Sequence, residues 1–211
     1  MFYLLSSASV SAQTIEQPKM QELLHKLPLT KSETEYNQLS SSFLLIAKTE
    51  KNNWLPYYYA GLCKSLAALT LKTKNADMLC NEADYYIKKV DSIMPNNSEV
   101  EVLKSLNFSA RLQVNPAARA LKYNKQINKA NELALTLDAH NPRAYLQKAQ
   151  AVFYTPEKFG GGASKALPLY ELALEQFIQT KPKTALTPNW GKEITEKMIK
   201  ECKSKIQKNN K

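Results

Sequence analysis

Pro95-Asn96-Asn97-Ser98-Glu99-Val100 decides the fold, because its second asparagine recurs. Asn53, before Trp54-Leu55-Pro56, lies 44 residues upstream of Asn97. Asn141, before Pro142-Arg143-Ala144, lies 44 residues downstream. Asparagine is a favoured N-cap, since its side-chain oxygen accepts a backbone N–H that the first helical turn leaves unpaired. A fixed period of a few tens of residues marks stacked units, each a helical hairpin that cannot bury its apolar face alone. Asn189, before Trp190, extends the series after 48 residues.

Working outward, helices are predicted over about 15–27, 32–50, 54–71, 76–94, 98–114, 117–138, 142–154, 163–179 and 190–207. The stripe Tyr36, Leu39, Phe43, Ile46 and Ala47 advances in steps of three and four, the period of one helix face. Breaks fall at Pro28, Lys72–Asn75, Asn115-Pro116 and the Thr180–Pro188 link. The expected units are about 15–53, 54–97, 98–141 and 142–188, followed by a capping helix over 189–208 whose stripe is Trp190, Ile194, Met198, Cys202 and Ile206. The whole reads as one all-α domain over 13–211, a right-handed α-solenoid of antiparallel helix hairpins. Gly is scarce, with 5 in 211 residues, as suits a helical chain.

The net charge is +10, but it is carried by lysine; the arginines are Arg111, Arg119 and Arg143. Readers of nucleic acid lean on Arg for bidentate contacts, so this balance points to a solvated Lys-rich face. No stretch approaches 18 apolar residues, so no transmembrane helix is expected. Residues 1–12 resemble the second half of a secretory signal peptide, with Val10 and Ala12 placed as small residues before a cleavage site at Gln13. That implies a shortened start and an exported, periplasmic or outer-envelope protein; a frayed apolar terminus of a cytosolic protein is the alternative. Cys63 and Cys80 fall at similar heights on one hairpin, as a disulfide pair or as buried thiols. Cys202 is left over. With only His25 and His140, no metal site is expected.

The phase of the small and aromatic residues resembles the tetratricopeptide repeat. Tyr57 and Tyr145 match its early aromatic position. Gly61, Ser105 and Ala149 match the small residue of its first helix, and Ala166, Tyr170 and Ala173 match its second. The period is 44 residues here against 34 in that family, with the excess between the two small positions. Glu101, Lys104 and Asn131 fit the pattern poorly. The resemblance implies a binding scaffold of secreted or envelope type whose first helices line a concave face. Carried over by phase, that face includes Tyr58, Val102, Arg143, Gln147, Gln150 and Tyr154, with Leu62, Leu106 and Leu146 either lining it or packing between units.

Phe159-Gly160-Gly161-Gly162-Ala163-Ser164-Lys165 is the strongest local anomaly. Three glycines before a helix leave N–H groups that suit an anion, assisted by Lys165. The plainer account is a tight turn with Phe159 plugging the core. No nucleophile stands beside a base, and the carboxylates near helix starts are accounted for by the helix dipole. The expected function is therefore non-enzymatic, with no catalytic residues, cofactor or metal: a scaffold binding a protein or peptide through its concave face. The alternative is a binder of anionic envelope material through lysines and the Gly160–Gly162 loop.

Overall fold

The computed structural model describes residues 7–209, and side chains from residue 17. Residues 1–6 of the expected leader lie outside the described residues, and 7–12 begin the first helix. The helices are α1 (Ser7–Lys26), α2 (Glu33–Thr49), α3 (Trp54–Thr70), α4 (Ala76–Ile93), α5 (Ser98–Val114), α6 (Pro116–Leu137), α7 (Pro142–Tyr154), α8 (Ala163–Gln179) and α9 (Lys192–Asn209). Single 3-10 turns follow α1, at Leu27–Leu29, and α7, at Glu157–Phe159. Among the described residues there is no strand. None of their helices is long and apolar enough to cross a membrane.

The recurring asparagines do what their chemistry suggests. The Oδ1 atoms of Asn53, Asn97 and Asn141 accept the N–H of Leu55, Glu99 and Arg143 at 3.0, 3.0 and 2.9 Å, capping α3, α5 and α7. Ser32 and Glu35 form a reciprocal capping box on α2, and the amides of Lys31 and Ser32 hold the Glu35 carboxyl below its ordinary range. Asn189 breaks the series: α9 begins only at Lys192, where the Gly191 carbonyl accepts the Thr195 N–H. The buried stripe of α9 is also turned from the expected one. It runs through Thr195, Met198, Ile199 and Cys202, while Ile194 is 37% exposed.

The chain divides into two compact units. One runs to Pro95 and includes Thr184–Thr187. In it α1 packs on α2, α2 on α3, and α3 on α4. α3 is buried on most sides because Tyr58, Tyr59, Leu62 and Cys63 are all apolar-bodied. The Tyr59 ring stacks on Phe43 at 5.3 Å, and its hydroxyl donates to the Leu186 carbonyl at 2.7 Å. Lys64 is also buried, which its contacts with Asn37 and Glu82 make tolerable.

The second unit comprises Asn96–Lys183 and the segment from Pro188. Here α5 pairs with α6, α7 with α8, and α8 with α9. Ala149, Ala166 and Ala173 let α7 and α8 approach around Phe153 and Tyr170, and Met198, Ile199 and Cys202 of α9 close that core. Glu101 and Lys104, poor matches to the repeat pattern, pair with each other at 2.7 Å.

All three cysteines are free and buried. Burial pushes the Cys63 and Cys202 thiols up, away from the reactive thiolate. A maleimide reagent is therefore expected to label none of the three in the native protein and all three in denaturant. Rapid native labelling of Cys63 would contradict this packing.

Candidate functional site

Most of the residues expected on a binding face are held inside the units. Tyr58, in the first unit, and Val102, in the second, have 0% exposure and serve their cores. Gln147 is buried, and Gln150 is half-buried. Arg143 is buried and engaged: its Nε lies 2.8 Å and its Nη2 2.6 Å from the Glu99 carboxylate. The Asn141 amide donates to the same carboxylate at 2.8 Å. The Arg143 guanidinium also lies over the Phe177 ring, 6.0 Å from its centroid. Tyr154 alone of the set stands well out, at 68% exposure.

The glycine loop is a built turn. Gly160 and Gly162 have φ of +83° and +95°, a region that side chains disfavour. The N–H groups of Gly160, Gly161 and Gly162 donate to the carbonyls of Glu157, Pro156 and Val152. The glycine amides are thus used in closing the turn and do not face an anion. Lys165 is exposed on the first turn of α8. Phe159 does not plug the core: it is 71% exposed.

What the loop does enclose is a cleft. Phe159, Gly160 and Gly161 form one wall, α6 supplies Asn128, Asn131 and Glu132, and α7 supplies Lys148, Ala151, Val152 and Thr155; the enclosed space is about 310 Å³. Lys158 Nζ lies 5.1 Å from the Phe159 ring centroid, placing a second cation by that wall. Asn131 is only 2% exposed, yet neither its Nδ2 nor its Oδ1 has a hydrogen-bond partner. The combination is an aromatic surface, a lysine, one buried amide and little room. It suits the edge of a flat, partly apolar ligand with polar substituents, being near the lower end of the roughly 300–1,000 Å³ range of ligand pockets.

Sequence reasoning found the loop and missed Asn131 and Lys148. The signal was present for Asn131, which sits where the repeat pattern calls for a packing residue. A second cleft, of about 360 Å³, lies in the first unit beside Leu23, Leu29, Leu39 and Glu35. The histidines line neither cleft. His25 is exposed at the end of α1, and His140 sits in the α6–α7 turn with Nδ1 3.2 Å from Gln176 Oε1. Among the described residues no group of three or more His, Cys, Asp or Glu is placed to hold a metal ion.

No protein-family model and no curated protein matches the chain. A solved structure does: the HusA haemophore from Porphyromonas gingivalis, at 34% sequence identity, a TM-score of 0.80, and coverage of 88% of this chain and 92% of that one. The helical fold is shared across nearly the full length of both. On that identity and coverage, the chain belongs to the family of the HusA haemophore.

Proposed function

We propose that this protein binds haem without transforming it, as an exported haem-capturing protein. The observation that carries the reading is the 34% identity with a haemophore over 88% of the chain. The second unit's cleft supports it. A tetrapyrrole offers a wide apolar face and two carboxylates, and Phe159, Lys148 and Lys158 provide exposed aromatic surface and positive charge around one opening. The net charge of +10 favours such an anion at long range. The cleft lining contains amide, carboxylate, lysine, hydroxyl and apolar groups, none of the usual axial ligands of haem iron. Recognition there is of the macrocycle and its carboxylates, not of the metal. The 44-residue recurrence of capped hairpins supports reading the scaffold as a tetratricopeptide-like solenoid, and the Phe2–Gln13 stretch supports export.

Titration of the ligand-free protein with haem, followed in the Soret band, is the direct test. The expected result is a saturable change at one equivalent with a dissociation constant of about 1 μM or below, a typical affinity for a well-formed site. Metal-free protoporphyrin is expected to bind within about tenfold of haem, since iron ligation would otherwise add more than one factor of ten. A haem spectrum indistinguishable from that in buffer removes the reading. Tyr154 and Gln150, which keep exposed surface, favour a protein or peptide partner as the second reading. Capture of a specific protein by wild type and not by Tyr154→Ala, with no haem bound, would install it.

A further inference from the structure

Asn131 points beyond haem binding to how the ligand is held. A carboxamide buried to 2% exposure with both polar atoms unpartnered is costly, because it has given up water and received nothing in return. It lines a cleft, so an occupant can supply what is missing. Leucine, of similar shape, would relieve the cost at once, so an Asn here is a local cost that needs a reason. The neighbouring groups narrow that reason. Asn131 Nδ2 offers donors, Lys148 on the facing helix offers positive charge, and Phe159 on the loop wall offers a ring for an apolar body. Glu132 on the same lining opposes negative charge, but it is exposed and well solvated, whereas the Asn131 amide is not.

Building on the haem reading, we propose that the cleft between α6, α7 and the glycine loop is a carboxylate subsite. A propionate-type arm of a planar ligand accepts a hydrogen bond from Asn131 Nδ2 and faces Lys148, while the adjoining apolar edge lies against Phe159. The Asn131 Oδ1 is left to accept from water carried in with the carboxylate. Asn131 is then a specificity residue: it discriminates ligands with free carboxylates from those without, because a buried donor left unpaired penalises the wrong ligand.

The test compares haem with its dimethyl ester, in which both carboxylates are masked, on the full chain. Wild type is expected to bind the acid at least about tenfold more tightly than the ester, the effect of one charge-assisted hydrogen bond. Asn131→Leu is expected to lose most of that preference while its ligand-free melting temperature rises. Lys148→Met, at an exposed position, is expected to weaken acid binding alone, and Glu132→Gln to strengthen it. Equal affinity of wild type for acid and ester overturns the subsite and leaves haem binding standing. Asn131→Leu with a raised melting temperature and unchanged preference overturns it also, since Asn131 would then be a packing flaw. No binding of haem by wild type overturns both readings together.

Discussion

Glu99→Ala is expected to cost about 3–5 kcal/mol of folding stability, the loss that follows when one partner of a buried ion pair is removed. Glu99 stands in the first turn of α5 and Arg143 in the first turn of α7, with side chains only 13% and 9% exposed. The guanidinium meets the carboxylate through both Nε and Nη2, and Asn141, whose Oδ1 caps the same helix start, donates from its Nδ2 to the same carboxylate. The Asn141 Nδ2 also donates to Ser98 Oγ, whose hydroxyl reaches the Ala134 carbonyl on α6. The carboxylate therefore ties α5 to α7, and the Asn141 amide and Ser98 hydroxyl extend the network to α6. Removing Glu99 takes the carboxylate away from a cation that lies against Phe177, Leu146 and Gly191. The melting temperature should fall on the order of 10 °C for a chain of this length. The double variant Glu99→Leu/Arg143→Met should recover most of the loss, because apolar residues of similar volume avoid the desolvation cost. Single-variant losses under about 1 kcal/mol would mean that the pair behaves as a solvated one.

That network also shows where the sequence was legible. Asn53, Asn97 and Asn141 are visible as a period because each performs the same local task, accepting the N–H two residues ahead. Local tasks leave local spacing. Helix bounds followed, and α5, α7 and α8 start and stop where the apolar steps and the prolines and glycines predict. Asn189 misled for the same reason: an asparagine before a tryptophan imitates a cap, but Gly191 at φ +113° intervenes and the helix starts later. The binding face was less legible, because phase assigns a residue to a helix side and not to water or to a partner. Arg143 has the composition of a ligand contact and the position of a clamp, and its partner Glu99 lies 44 residues away, at the equivalent turn of the preceding unit. Asn131 was visible only as a misfit in a packing position. A misfit gains meaning once its polar atoms are seen to lack partners.

Gly161→Ala is expected to be the most damaging single-methyl change in the second unit, costing about 1–3 kcal/mol through forced backbone displacement. A Cβ there would overlap the Thr155 carbonyl oxygen and stand 2.5 Å from Thr155 Cβ and 2.6 Å from its carbonyl carbon. Thr155 has little freedom to yield. Its hydroxyl donates to Ala151 at 2.8 Å, its N–H to Val152 at 3.2 Å, and the Gly162 N–H returns to Val152 at 3.0 Å. Gly160→Ala is the internal control, since nothing lies within 4 Å of its Cβ and only the positive φ is penalised. Gly160→Asn should be milder still, because asparagine tolerates the left-handed region. The two positions therefore separate strain from collision. They also separate a turn from a wall. If the loop serves only to link α7 to α8, Gly161→Ala lowers the melting temperature and leaves the haem affinity of the folded fraction untouched. If Phe159, Gly160 and Gly161 form the wall of a working cleft, the same methyl group displaces that wall and affinity falls with stability. Gly160→Asn should still preserve stability. Equal effects of Gly161→Ala and Gly160→Ala would show that the close approach to Thr155 is not what fixes the loop.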